Sequence, residues 1–197
     1  MVGTWAASTN GFASAFRAGW VPAAALAMVL PAYAATGQLV GDRAESTAIV
    51  ATSPVARGET LRAAVELRVA EGFHVNANPA SEDFLIATEV SLTEADGFAI
   101  TEVFYPPAHE LTFGFWDGPL RVWEGSIVAG VVLEIDETVG LGFHDLEFVV
   151  LYQACNDEAC FAPAETTYEL GIDVVEEGSA TRALTSPLLS RAPFEQR

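Results

Sequence analysis

Between about residues 45 and 175 apolar side chains recur at every second position, and that period of two limits what the chain can fold into more than any other feature. In "TLRAAVELRVA", Leu61, Ala63, Val65, Leu67 and Val69 alternate with the polar set Arg62, Glu66 and Arg68. "SIVAGVVLEI" puts Ile127, Ala129, Val131, Leu133 and Ile135 on one side, and "DLEFVVLYQA" does the same with Leu146, Phe148, Val150 and Tyr152. "TTYELGIDVV" adds Tyr168, Leu170, Ile172 and Val174. Side chains on a strand point to opposite faces in turn, so each run predicts a strand with one buried face. Shorter strands are expected near 48–52, 85–93, 98–105 and 120–124, with turns at "ADGF", "YPP" and "WDGP" between them. Short strands and turn signals at this spacing predict an all-β fold of two packed sheets. No helical periodicity of useful length and no internal repeat accompanies them.

Two segments fall outside this pattern. The first 34 residues carry one basic residue, Arg17, then the apolar run "AGWVPAAALAMVLPAYAA" with an A-x-A site at Ala32–Ala34. That is the form of a secretory signal peptide, and Pro22 and Pro31 leave the run short of the ~20 unbroken apolar residues of a spanning helix. Cleavage after Ala34 is expected, followed by a domain over 35–175. The stretch 176–197, rich in Ser, Pro and Gly, is expected to be a poorly ordered tail.

Removing 34 of the 197 residues leaves 163, enough for one domain with a real core. The whole chain has a net charge of −18; losing Arg17 leaves eight arginines against 27 acids, or −19, and there is no lysine. Such a surface excludes nucleic acid as a partner, because phosphates demand cations, and it disfavours anionic lipid. After signal removal no segment is long and apolar enough for membrane insertion. Export places the chain outside the cytoplasm, where disulfides form and persist.

The chain has two cysteines, Cys155 and Cys160, both in "LYQACNDEACFAPAETTYEL". Five extended steps between them would span roughly 17 Å at ~3.3 Å each. A disulfide needs Cα atoms within about 7 Å, so "NDEA" must fold back, and Asn156 and Asp157 suit a turn. A bridge closing so short a loop contributes only about 2 kcal/mol by chain entropy, which a domain of this size does not require. From the residues alone, a structural staple and a redox site both remain open. A zinc centre would need two further ligands, and His74, His109 and His144 show no ligand spacing; no metal and no cofactor is expected. Nor is there a nucleophile elbow, a zinc-protease helix motif or a phosphate-binding glycine loop.

The wording around the cysteines adds a further indication. Tyr152, Gln153, Cys155, Cys160, Phe161, Pro163, Glu165 and Thr166 follow the order in which "YQACNDEACFAPAET" resembles the active-site segment of the periplasmic N-terminal domain of the thiol:disulfide interchange protein DsbD. The likeness extends through "GFHVNANPASEDFLIATEVSL" and "YPPAHELTFGFWDGPLRVWEG", covering about 45–175. It implies an immunoglobulin-like sandwich with a redox disulfide on a hairpin. It further implies electrons drawn from a membrane thiol reductase and passed to periplasmic thioredoxin-like or disulfide isomerase proteins. Carried over, Cys160 exchanges with partners and Cys155 resolves. A cap loop lies in "HELTFGFWDG" with Phe113 or Phe115 shielding the sulfurs, and His74, Tyr152 and Phe161 line the site.

The chain departs from that pattern where acids of the cap become Leu111 and Thr112, beside Glu110, and where tyrosines near the site become His74 and Asn76. The chain also stops at 197, so the expected donor acts in trans. His74 has two readings: a residue beside the disulfide that handles a proton, or a strand histidine at the rim. His109 and His144 read as loop residues, and Trp116, Trp123 and Phe143 as packing. The competing expectation for the whole chain is an exported β-sandwich that binds or assembles, with an inert disulfide.

Overall fold

The computed structural model describes residues 43–194, and the expected signal peptide lies outside them. Twelve strands in this region form three four-stranded sheets. The first runs β1 (Ala44–Val50), β3 (Thr60–Val69), β9 (Ser126–Ile135), β6 (Phe98–Phe104), antiparallel throughout. The second runs β2 (Val55–Ala56), β12 (Ala164–Val175), β10 (Gly142–Tyr152), β5 (Glu89–Leu92), antiparallel except for the short β2–β12 pair. The third runs β11 (Ala154–Cys155), β4 (His74–Asn76), β8 (Pro119–Glu124), β7 (His109–Thr112).

The first two sheets make the sandwich. Ala63, Val65, Leu67, Ala129, Val131 and Leu133 meet Leu146, Phe148, Val150, Leu170, Ile172 and Val174 in one buried core. These are the faces that the alternation assigns inward, and burying each large apolar side chain contributes about 1.5–3 kcal/mol. The fold is therefore an all-β sandwich with a third, smaller sheet added.

The tail expected after Val175 is not without structure. Ser53 and Leu184 donate backbone bonds to Arg182 and Ala51, and Thr52 bridges Ala183. A short helix, α1 (Pro187–Arg191), starts at Ser186, whose hydroxyl accepts from the Leu188 N–H at 3.1 Å. The reason for this docking lies on the outward face of the first sheet, where Ala64 and Gly130 are opposed and leave a shallow trough. Phe194 fills it so closely that a Cβ on Gly130 would come within 3.0 Å of its ring. Glu66, outward-facing and read from the sequence as polar surface, is only 5% exposed. Its carboxylate accepts from Ser126 Oγ, from Arg191 at 3.2 Å and from Arg68 at 3.0 Å.

Burial pushes the Glu66 carboxyl up, but the Ser126 hydroxyl and the charges of Arg68 and Arg191 outweigh it and hold it below the ordinary 4.5. A group whose pKa is lowered by folding stabilises the fold above its unfolded value, and that contribution fades as pH falls through the folded value. Glu66→Gln is expected to cost about 1–2 kcal/mol near neutrality. The difference from wild type should shrink below about pH 4.5. Urea melts across pH measure both; a difference independent of pH would mean that the carboxylate is not linked to folding.

Candidate functional site

The third sheet is covered on both sides, and β4 shows why. Val75 points inward with its cross-strand neighbours Ala154 and Trp123, and all three belong to the main core. His74 and Asn76 point the other way. There His74 is paired with Cys155 on one side and Glu124 on the other, and Asn76 with Val122. Val122, Leu120 and Phe113 form a second apolar cluster, with Leu85, Leu111, Phe115 and Trp116 packed on it. The loop 113–118, between β7 and β8, folds back to supply this cover. Gly118 sits at φ +128°, a conformation that side chains with a Cβ rarely adopt.

Cys155 and Cys160 are disulfide-bonded across a small hairpin. The Asn156 N–H donates to Ala159 O at 2.9 Å, and the Asn156 side-chain oxygen accepts from the Glu158 and Ala159 N–H groups at 3.0 and 2.9 Å. On the other side Phe161 N–H donates to Ala154 O at 2.9 Å. The cysteines lie between these bonds as an opposed pair with Cα atoms 3.9 Å apart. Non-hydrogen-bonded pairs are the positions where facing strands bring side chains closest. The turn at "NDEA" is thus built chiefly by Asn156.

The two sulfurs have unlike surroundings. Cys155 is fully buried, whereas Cys160 is half-buried and opens on a cavity of about 260 Å³. Phe84, Leu85, Phe115, Trp116, Leu120 and Gln153 form its walls. Phe84, whose ring lies 5.0 Å from that of Trp116, is 61% exposed. Gln153 ties the surroundings together. Its oxygen accepts from Asn76 Nδ2 at 3.0 Å and from Ile86 N–H at 3.1 Å, while its amide donates to Phe161 O at 3.1 Å.

His74 is buried, and its ring stacks on Phe113 with centroids 4.1 Å apart. Its Nε2 has no hydrogen-bond partner among the described residues. Burial holds the imidazole below its ordinary pKa, opposed in part by Glu124 and Asp157.

Of the residues expected at the site, Phe115 walls the cavity at Cys160, whereas Phe113 covers His74 and stacks on Phe115 at 5.5 Å. Two belong elsewhere. Tyr152 is fully buried in the main core and does not line the cavity. Phe161 follows Cys160 in sequence but packs on Phe73 and under Arg43, whose guanidinium carbon lies 3.8 Å from the ring centroid. His109 and His144, read as loop residues, lie in β7 and β10. Phe84, Leu85 and Arg43 carry no sequence signal that joins them to the cysteines. Trp116 was assigned to packing, and it does pack, but as cavity wall. Among the described residues no group of His, Cys, Asp and Glu is arranged to hold a metal, and no helix is long and apolar enough to cross a membrane.

No protein-family model and no curated protein matches the chain. Among solved structures it is similar to the N-terminal domain of DsbD from Neisseria meningitidis in the reduced form. That match has 17% identity and a TM-score of 0.40 over 69% of this chain and 90% of that one. It is also similar to the N-terminal periplasmic domain of ScsB from Proteus mirabilis, at 16% identity and a TM-score of 0.44 over 68% of this chain and 47% of that one. A third is AvmM, which catalyses macrocyclization in alchivemycin A biosynthesis, at 12% identity and a TM-score of 0.39 over 71% of this chain and 93% of that one. Likenesses this weak carry no weight for chemistry, which rests on the residues of the site.

Proposed function

We propose that this chain is a periplasmic thiol–disulfide exchange protein, which takes electrons from a membrane thiol reductase and passes them to thioredoxin-like or disulfide isomerase partners. The observation that carries the reading is the asymmetry of the pair. Cys155 is enclosed, while Cys160 is accessible at the floor of an apolar cavity. An inert staple needs no such opening. Attack by an incoming thiolate requires one, because exchange rates depend on access to the sulfur. The exchanging role goes to Cys160 and the resolving role to Cys155. The leader of 34 residues is removed, and the domain that follows it includes the segment docked after Val175, through Phe194.

The redox midpoint of the pair, together with electron transfer to a thioredoxin-like protein, tests the reading. A midpoint far below the glutathione range with no transfer would leave the inert binding module in its place. The cap makes a separate prediction. Phe115 walls the cavity at Cys160, so Phe115→Ala should speed reduction by 2-mercaptoethanol about tenfold. Phe113→Ala, which uncovers His74 instead, should do so less. Stopped-flow reduction kinetics measure both, and unchanged rates in the two variants would remove the cap from the mechanism.

A further inference from the structure

Resting on the exchange reading, we propose that His74 Nε2 is the proton acceptor for the Cys155 thiol when that thiol resolves a mixed disulfide on Cys160. Three observations meet at this side chain. His74 and Cys155 are cross-strand partners, which sets their Cβ atoms about 4.5–5.5 Å apart on the same face. Both are buried, so solvent does not reach the thiol to take its proton. The Nε2 atom has no partner among the described residues, although an unsatisfied buried nitrogen costs about 1–3 kcal/mol. A nitrogen kept unpaired at that cost, beside a thiol that must ionise to react, has a use in the reaction.

The step balances as follows. The Cys160 thiol gives its proton to water, and its thiolate attacks the partner's disulfide, forming a mixed disulfide and releasing one partner sulfur as thiolate. The Cys155 thiol then gives its proton to His74 Nε2, and its sulfur attacks Cys160 Sγ. The Cys155–Cys160 bond forms, the bond from Cys160 to the partner breaks, and the second partner sulfur leaves with the electron pair. Two electrons have passed to the partner, and the imidazolium gives its proton to the leaving thiolate or to water.

The charges around the ring fit both ends of that transfer. Burial keeps the imidazole neutral near pH 7, so with its own proton on Nδ1 the ring presents Nε2 as an acceptor. Glu124 on β8 and Asp157 in the hairpin turn favour the imidazolium once it forms. Phe113, over the ring, is uncharged and closes the site.

Single-turnover oxidation of the reduced protein by dithiobis(nitrobenzoate) separates the two stages. The first thionitrobenzoate release reports attack by Cys160, and the second reports resolution by Cys155. In wild type the second phase should be level near neutral pH and fall as pH drops through the lowered pKa of His74. His74→Phe keeps a ring under Phe113 but has no acceptor. Its second phase should be about 100-fold slower at neutral pH and should climb about tenfold per pH unit with the thiol's own ionisation. The first phase should be unchanged, and His74→Gln should behave like His74→Phe. Second phases of wild-type rate and profile in both variants would overturn the assignment. If neither variant folds, the wild-type profile decides alone: a steady rise through neutral pH without a plateau overturns it. A normal second phase without electron transfer to a thioredoxin-like protein would leave His74 in its role and overturn the exchange reading instead.

Discussion

Cys155→Ser should accumulate a covalent complex with a thioredoxin-like partner, at least about tenfold more than Cys160→Ser does. A mixed disulfide lasts only when the second thiol that would resolve it is missing. Removing Cys155 leaves Cys160, the half-buried sulfur at the cavity, to form the bond with nothing to break it. Removing Cys160 leaves only the fully buried sulfur, which an incoming disulfide cannot approach in line. Non-reducing gels with a partner lacking its own resolving cysteine give the measurement. Equal trapping by both variants would reverse or dissolve the assignment of roles. No trapping by either would favour the inert module.

Gln153→Leu should destabilise the protein by about 3 kcal/mol. Its side chain satisfies three groups: the Asn76 amide, the Ile86 N–H and the Phe161 carbonyl. Leucine matches the volume and none of the bonds, and each buried group left unpaired costs about 1–3 kcal/mol. Part of this is offset, because the Asn76 amide also donates to Ile86 O and because groups near the cavity can find water. A loss of this size is a large share of the roughly 5–15 kcal/mol by which domains are stable. Urea unfolding should show a lower midpoint at unchanged slope, and reduction of the disulfide should quicken because the returning limb of the hairpin has lost its anchor. A loss below about 1 kcal/mol would mean that water replaces the clamp.

The sandwich was legible because its strands are long. β3, β9, β10 and β12 each repeat the apolar step over ten or more residues, so the inward faces could be named in advance. Of the third sheet only β8 was foreseen, as the strand expected near 120–124, and the rest was hidden for two reasons. Its strands have two to six residues, and β4 is buried at all three positions, so no polar face remains to reveal the period. The segment 85–93 shrinks to β5 at Glu89–Leu92 because Leu85 is spent on the cavity wall. The cysteine hairpin could be foreseen from Asn156 and the spacing of the sulfurs. Phe161 was assigned to the site by the family resemblance, whereas its ring packs on Phe73 and under Arg43, because neighbours on an extended chain point apart. The docking of Arg191 was hidden because Glu66 obeys the alternation and points outward, but into a covered surface. A period of two tells which face a residue occupies and not what covers that face.

The hydrogen bonds that flank the cysteines have a consequence for the dithiol. Asn156 to Ala159 and Phe161 to Ala154 are backbone contacts that do not depend on the sulfur–sulfur bond. When that bond is cut, they hold the two thiols face to face, so each meets the other at an effective concentration far above that of any thiol in solution. Well-oriented intramolecular partners reach about 10⁵–10⁸ M. Ring closure on the protein therefore outruns capture by stray thiols. The hairpin behaves as a spring-return contact, in which any bond made to an outside sulfur is short-lived unless Cys155 is taken away.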